Sequence, residues 1–382
     1  MRAVSRKTEY YINTLVALIY NWEPAPELGS CAYKLYKLSG EHNMSVMVGN
    51  FIKKYFPERY ADRMKEENTI RTALHLMQMA EYKKLAAELD YRKIKYIPLK
   101  GIRLSKMYPK NMLREMSDID ILVHQEDIAE ITEIMKNAGY EHQHSGHHEI
   151  YKNQNNVCFE IHTKLIDEKR NNSLEQYFDN VWEGALRTGN GSGYVMSPED
   201  EYIYLLAHLY GHFHMGGCGV RYILDIWIYM QENLDMDFEL IDKILKIYKM
   251  KRFSDNILKL GKVWFEGAKP SEVTDELGEY IISSGTYGRT EQYSLSVADE
   301  GNSAMASILK RKIFLSSDEM KKRYPWIRCR LLVPIGYIYR IIDMAVNKKG
   351  KIGEYAKSAA GVNENAVREY RQMMNKFGVR SE

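Results

Sequence analysis

Hydrophobic residues recur along this chain with two different periods, and the changes of period divide it into three regions. In segment 69–89 the apolar residues follow roughly helical intervals: Leu74, Met77, Ala80, Leu85 and Leu89. Spacing of this kind indicates a helix that buries one face. Residues 1–90 share this character, with turn-rich breaks such as the two-proline stretch 23–30. We therefore predict an N-terminal helical region over residues 1–90.

Residues 91–195 change to short runs that are typical of β-strands. The predicted strands lie at residues 95–99, 119–123, 149–152 and 157–161. The last two are separated by a good turn sequence and are predicted to form a β-hairpin. One helix, over residues 127–138, is predicted between the second and third strands, because its apolar residues share a face and Gly139 suits its carboxyl end.

From Ser197 onward the pattern is helical again. Ser197 is a suitable N-cap, and Pro198 suits the first helical turn. A second helix is predicted over residues 222–231. The sequence therefore predicts an α+β protein, in which a small mixed-sheet core at residues 91–195 is flanked by an N-terminal and a C-terminal helical region, the latter at residues 196–382.

The charge of the chain is nearly balanced, with 54 Lys and Arg residues, 51 Asp and Glu residues and a net charge of +3. A dedicated nucleic-acid binder usually shows a strong basic excess, so a nucleic-acid partner is disfavoured. The basic clusters at residues 310–312 and 321–323 adjoin Tyr324 and Trp326. We interpret them as solvated helix faces rather than as an RNA-binding surface.

Four cysteines lie far apart, at positions 31, 158, 218 and 329, which is typical of reduced thiols in a cytosolic protein. No apolar stretch reaches the roughly 20 residues that a membrane span needs. The N-terminal stretch 10–20 is interpreted as an amphipathic helix rather than a signal peptide. We predict a cytoplasmic protein without a membrane segment.

The predicted strand 119–123 is the most informative part of the sequence. Asp118 and Asp120 alternate with Ile119, Ile121 and Val123, so the two carboxylates project from one face of the strand. Carboxylates at this spacing can share a hard cation such as Mg²⁺, which also takes oxygen ligands from substrate phosphates. The same spacing is equally compatible with solvated aspartates on a surface strand.

Two flanking segments favour the metal site. Upstream, a strand runs into Lys100-Gly101 and then into a predicted helix at residues 102–108; a turn of this kind aims backbone N–H groups at an anion. Downstream, Glu160 and His162 share one face of the predicted strand 157–161 and its continuation. A third carboxylate on a neighbouring strand is what a two-metal site requires.

Together these motifs resemble the uncharacterised nucleotidyltransferase family of the polymerase-beta-like superfamily. The resemblance is dense over residues 70–165 and rests there on Pro98-Leu99-Lys100-Gly101, Tyr108-Pro109, Arg114, Ser117-Asp118-Ile119-Asp120 and Glu160-Ile161-His162. Weaker matches follow at Ala207-His208, His212, Asp225 and Leu331-Leu332-Val333-Pro334.

The resemblance implies that Asp118, Asp120 and Glu160 are catalytic and hold Mg²⁺ or Mn²⁺, with a nucleoside triphosphate (NTP) as co-substrate. The superfamily turn usually has serine or glycine after its first glycine, where this chain has Ile102. The phosphate and nucleotide contacts are therefore expected from other residues, namely Lys100, Gly101, Arg103, Arg114, Ser117 and His162.

The leading hypothesis is transfer of a nucleoside monophosphate from an NTP to a hydroxyl group of a small molecule or a protein. A rival hypothesis is a non-catalytic nucleotide-binding or partner-binding module. An RNA-directed nucleotidyltransferase is a third, which the nearly neutral charge disfavours.

The remaining histidines are interpreted structurally. His142, His144, His147 and His148 match no known zinc spacing and are assigned to an exposed loop before the hairpin. His208 and His212 lie one helical turn apart without the glutamate of an H-E-x-x-H motif. We expect this second pair to pack against the catalytic unit or to line the acceptor pocket.

Overall fold

The computed structural model describes most of the chain. The described residues are 6–144, 148–166, 174–286, 288–298, 317, 320–321, 324, 326–327, 329–347 and 362–379. The basic cluster 310–312, residues 322–323 of the second cluster and His147 lie outside the described residues, so their interpretation stays a prediction.

Helices make up most of the described chain. They are α1 (Arg6–Ile19), α2 (Glu27–Ser30), α3 (Ala32–Glu41), α4 (Ser45–Tyr55), α5 (Asp62–Arg92), α6 (Lys100–Leu104), α7 (Ile128–Asn137), α8 (Val181–Gly184), α9 (Pro198–His214), α10 (Val220–Glu232), α11 (Phe238–Ile247), α12 (Lys251–Glu266), α13 (Glu272–Ser284), α14 (Thr290–Val297), α15 (Val333–Asn347) and α16 (Glu364–Phe377).

Helix boundaries follow local capping chemistry. The predicted helix 69–89 lies inside α5, which runs for 31 residues and ends where Lys93 adopts a left-handed φ of 59°. At the start of α9, the Ser197 hydroxyl accepts a hydrogen bond from the Asp200 backbone N–H at 3.0 Å, which confirms the predicted N-cap. Among the described residues, no helix is both long and apolar enough to cross a membrane.

A five-stranded mixed sheet lies between the helical parts of the chain. Its strands are β1 (Tyr96–Pro98), β2 (Ile119–Val123), β3 (Glu141–His144), β4 (His148–Lys152) and β5 (Cys158–His162), in the order β1-β2-β5-β4-β3. Strands β2 and β5 run parallel, and the other pairs are antiparallel. The four predicted strands are present within one residue of their expected bounds, and the α+β class is confirmed.

The sheet has one apolar face and one face, called the polar face, on which charged side chains lie beside Leu122 and Ile97 of the larger helical core. The apolar face packs against α5 and α7, with a core that includes Leu85, Leu89, Ile119, Ile121, Val123, Ile131, Met135, Phe159 and Ile161. Alternation along the strands places Asp120, Glu160 and His162 on the opposite face. The polar face is therefore the one that can bind a charged ligand.

The remaining helices form a second, larger core. Buried side chains from the N-terminal helices join those from the C-terminal helices in one cluster, among them Tyr11, Leu15, Phe51, Phe213, Phe253, Phe265 and Phe377. The two helical regions that flank the sheet in sequence thus share one hydrophobic core in space. The division of the chain at residues 90 and 195 stays a prediction.

The assignment of the histidine-rich segment to a loop is wrong for its described residues, although His142 is exposed as expected. Its backbone forms the edge strand β3, in which His142 pairs with Tyr151 of β4, and His148 begins β4 itself. The His142 ring also stacks on Tyr151 with ring centroids 4.9 Å apart. The strand was missed because its pairing depends on backbone hydrogen bonds to β4, whereas its polar sequence has no alternating apolar pattern.

Candidate functional site

The parallel pairing of β2 and β5 brings two predicted site residues side by side. Asp120 is the register partner of Glu160, and the neighbouring pair is Leu122 with His162. Asp120 is buried, with 4% of its surface exposed, whereas Glu160 is half-buried. The two carboxylates thus lie next to each other on the polar face.

Asp120 is held by two donors. Lys100 Nζ and His162 Nε2 each lie 2.8 Å from Asp120 Oδ1. Burial alone would raise the pKa of Asp120, but Lys100 and His162 outweigh it and hold that pKa well below its usual range. Because both hydrogen bonds end on Oδ1, Oδ2 has no hydrogen-bond partner within the described part of the chain.

Glu160 makes contact with a histidine that the sequence did not mark as functional. His148 Nε2 lies 3.3 Å from Glu160 Oε2, and His162 Nε2 lies 3.8 Å from the same oxygen. Burial would raise the pKa of Glu160, yet the hydrogen bond from His148 lowers it. Glu160 is therefore an ionised carboxylate flanked by two imidazoles.

These donors suit a divalent cation. One ligand atom each from Asp120, Glu160 and His162 lies within 4.8 Å of the others. Carboxylate oxygens match Mg²⁺ and Mn²⁺, and a nearby imidazole is compatible with Mn²⁺ and later first-row metals. The chemistry of the donor set and the spare oxygen of Asp120 fit a metal site.

Asp118 lies outside this group of three. It precedes the first residue of β2 and is half-buried. Burial, followed by repulsion from Asp120 and Glu160, raises its pKa to about 7. The Asp118 carboxylate is thus close enough to be repelled by the other two carboxylates. Of the three, it is the one whose ionised form is least favoured.

Lys100 adopts an unusual backbone conformation at the start of α6. Its φ of 41° lies in the left-handed region, which is uncommon for a residue with a β-carbon. Burial by itself lowers the pKa of the Lys100 ammonium, but attraction to Asp120 outweighs it and the pKa is raised. The turn therefore holds a protonated lysine against the second carboxylate of the D-x-D motif.

Arg103 and Arg114 are both engaged in ion pairs with the C-terminal helices. Arg103 Nη2 lies 2.7 Å from Glu201 of α9, and Arg114 binds Asp225 of α10 through Nε and Nη2, each at 2.9 Å. Arg114 and Asp225 are both nearly fully buried. The structure thus places these two arginines where they join the segment between β1 and β2 to the C-terminal helices.

The sequence matches a family model over more than half of its length. Residues 32–266 match the model of a family that is described as "uncharacterised nucleotidyltransferase". The chain belongs to this nucleotidyltransferase family. No curated protein and no solved structure matches it. The matched range includes the whole five-stranded sheet, α9, α10 and every residue of the polar face described above.

Gly101 and Ser117 are the two remaining residues predicted to contact the nucleotide, and both lie within the matched range. Gly101 is buried, and a β-carbon there would lie 2.7 Å from Met116 Sδ and 2.9 Å from Arg114 Nη1. Ser117 is exposed, and its hydroxyl lies 3.4 Å from Asn43 Nδ2. The close approach at Gly101 is therefore made by side chains of this chain, and a nucleotide-binding role for either residue stays a prediction.

Several groups near the site are not among the residues predicted from the sequence. Tyr204 of α9 lies near Lys100. Burial raises the pKa of Tyr204, and the charge of Lys100 acts in the opposite direction. Tyr222 of α10 packs against His208 and His212, with ring centroids 5.8 and 4.6 Å away. His148 could have been found from the hairpin alone, because a turn at 153–156 places position 148 opposite His162.

Proposed function

We propose that this protein is a divalent-cation-dependent nucleotidyltransferase that moves a nucleoside monophosphate from an NTP to a hydroxyl group of a small molecule or a protein. The observation that carries the proposal is the register pairing of Asp120 with Glu160 on parallel strands. Asp118 lies two residues before Asp120, and the chain belongs to a nucleotidyltransferase family. Asp118, Asp120 and Glu160 would hold Mg²⁺ or Mn²⁺.

The proposed step is a displacement at the α-phosphorus of the NTP. The acceptor oxygen forms a bond to this phosphorus while the bond to the oxygen bridging the α- and β-phosphates breaks, and pyrophosphate leaves. A bound cation supplies positive charge that neutralises the phosphate oxygens. The chain itself would hold its carboxylates and the Lys100 side chain in fixed positions at one face of the sheet.

The proton of the acceptor hydroxyl needs a base. Glu160 is the proposed proton acceptor, because it is ionised and lies half-exposed beside the other carboxylates. His148 Nε2 lies 3.3 Å from Glu160 Oε2 and donates to it, so His148 would keep the carboxylate ionised until the acceptor proton reaches it. Glu160 would take this proton without protonating Asp120, whose pKa is low.

One observation favours a second candidate, a non-catalytic nucleotide-binding module. Lys100 and His162 already neutralise Asp120 through the same oxygen. A carboxylate whose charge is permanently neutralised by a lysine would bind a cation more weakly. In that case nucleotide would bind to the polar face without turnover.

We expect label transfer from an NTP to an acceptor when the protein is incubated with each α-labelled NTP, Mg²⁺ or Mn²⁺, and a metabolite extract or protein pool. Mass spectrometry identifies the product, and Glu160→Gln is the control that removes the proposed base while keeping the shape of the side chain. Cation-dependent NTP binding with no transfer in any mixture would contradict the proposed function and support the binding module.

We also expect cation affinity to increase with pH up to about 7. Asp118 has a raised pKa of about 7, so below that pH a cation must displace its proton, and affinity should change by about tenfold per pH unit. Above pH 7 the dependence should level off. Asp120 and Glu160 have lowered pKa values and are already ionised over this range.

Calorimetric titration of Mn²⁺ between pH 6 and pH 8, in buffers of different ionisation enthalpy, measures both the affinity and the protons released. Asp118→Asn is the matched control, and it should bind more weakly with a flatter pH profile. A wild-type affinity that does not change between pH 6 and pH 7 would show that Asp118 does not bind the cation.

A further inference from the structure

Arg221 is a buried arginine at the amino end of α10. Only 7% of its surface is exposed. Its Nη1 donates a hydrogen bond to the Glu115 carbonyl oxygen at 2.7 Å, while its buried Nε has no hydrogen-bond partner in the described ranges. A buried donor of this kind is costly to leave unsatisfied.

The other cations near the site differ from Arg221 in having a carboxylate partner. Lys100 pairs with Asp120, Arg103 with Glu201 and Arg114 with Asp225. No carboxylate of the described residues lies within ion-pair distance of Arg221. A buried charge is expensive unless an opposite charge compensates it, so Arg221 is the cation that an incoming anion would stabilise most.

Arg221 is also directed toward the carboxylate site. Its hydrogen-bond acceptor Glu115 precedes Asp118 by three residues, and the charge of Arg221 acts to lower the pKa of Asp118. The guanidinium lies over the Tyr222 ring, 5.4 Å from the ring centroid. These contacts hold the guanidinium against the segment that leads into the D-x-D motif, close enough for its charge to act on Asp118.

The helix that carries Arg221 adds further positive potential. Helix α10 has 13 residues, and its N-cap, Gly219, is buried against His42 and Thr286. Two of its first N–H groups already have acceptors: Val220 donates to His42 Nδ1 at 3.3 Å and Tyr222 to the Gly219 carbonyl oxygen at 3.2 Å, so the helix contributes through its dipole. Amino ends of helices attract anions, phosphates above all.

We propose that Arg221, at the amino end of α10, binds the terminal phosphates of the nucleoside triphosphate. The inference rests on the proposed function and deepens it, because it assigns the phosphate contacts to Arg221 in place of Arg103 and Arg114. The anion would provide the guanidinium with an opposite charge, while the neighbouring carboxylates would hold a cation beside the phosphates.

Calorimetric titration of inorganic tripolyphosphate, in the presence of Mg²⁺, tests the site without involving transfer. Arg221→Gln should weaken binding by about 10- to 100-fold, because one charge-assisted hydrogen bond is lost. Arg221→Lys keeps the charge and should lose less. Arg71→Gln is the matched control: Arg71 pairs with the Glu115 carboxylate at 2.7 Å, and its loss should leave tripolyphosphate affinity within about twofold.

A readout specific to Arg221 covers the case in which Arg221→Gln does not fold. The Nε–H resonance of Arg221, assigned in wild-type protein by its absence from Arg221→Lys, should shift when tripolyphosphate is added with Mg²⁺. An unshifted resonance, or wild-type affinity in Arg221→Gln, would overturn the inference. Nucleotidyl transfer with Arg221-independent phosphate binding refutes only this inference, whereas Arg221-dependent binding without any transfer refutes only the proposed function.

Discussion

Asp118→Asn and Asp120→Asn should both lose at least about 100-fold in nucleotidyl transfer, yet they should change the stability of the protein in opposite directions. Loss of activity follows in each case from removing a charged oxygen ligand, which should cost more than the 10- to 100-fold typical of residues that only support a metal ligand. The stability effects differ because the two carboxylates have opposite surroundings.

Asp120 compensates buried positive charge. Removing its charge leaves the Lys100 ammonium, with 16% of its side chain exposed, without a carboxylate, and breaking a buried pair in this way costs about 3 to 5 kcal/mol. Since the pKa of Asp120 is lowered, its stabilising contribution is present above its unfolded pKa of about 4 and is lost as the pH falls. Asp120→Asn should therefore be destabilised most at neutral pH.

Asp118 is destabilised by its own charge. Its raised pKa of about 7 means that the folded protein holds this proton more tightly than the unfolded chain does. Ionisation of Asp118 therefore reduces stability as the pH rises from about 4 to about 7. Asp118→Asn should be as stable as wild type at pH 4 and more stable at pH 8.

Denaturant unfolding of metal-free wild type and both variants at pH 4 and pH 8 measures these differences. Circular dichroism provides the control for the native fold. Equal destabilisation by the two substitutions at pH 8 would show that Asp118 is compensated by a partner in the same way as Asp120. Retention of transfer within a few-fold of wild type by either variant would exclude that aspartate from the catalytic group.

Asp225→Ala should lower the free energy of unfolding by about 3 to 5 kcal/mol, because it leaves the Arg114 guanidinium buried without its partner. Asp225 also accepts a hydrogen bond from the Tyr108 hydroxyl at 2.8 Å, so three polar groups depend on it. The double variant Arg114→Met with Asp225→Leu replaces the pair by apolar side chains of similar size and should recover the part of the loss that comes from the unpaired guanidinium, but not the part that comes from the Tyr108 hydroxyl.

The same pair of variants separates a structural from a phosphate-binding role for Arg114. If Arg114 joins the sheet to α10, the double variant should fold and bind NTP as wild type does, measured by calorimetry with a non-hydrolysable analogue. Loss of NTP binding in a double variant of normal stability would instead support the phosphate contact expected from the sequence.

Local patterns in the sequence were sufficient for much of the fold. The alternation around Asp120 gave the bounds of β2, and the turn between β4 and β5 was enough to place Glu160 on the face that Asp120 occupies. Both inferences depend on contacts between residues close in sequence or on the strict two-residue period of a strand.

Long-range contacts are the reason that the rest was not predicted. Glu201, the partner of Arg103, is 98 residues away in sequence, and Asp225, the partner of Arg114, is 111 residues away. Nothing in the neighbourhood of either arginine distinguishes an ion pair of this kind from a phosphate contact. Arg221 was missed for the same reason, since its significance comes from the absence of such a carboxylate.

The hydrophobic core shared by the N- and C-terminal helices has a consequence for synthesis of the chain. Helix α1 ends at Ile19 and packs against α12, which begins at Lys251. At bacterial or eukaryotic elongation rates the ribosome needs roughly 10 to 50 s to make the residues between them. During that interval α1 can pack only against its N-terminal neighbours such as α4, so the apolar surface that α12 covers in the native protein stays open to chaperones.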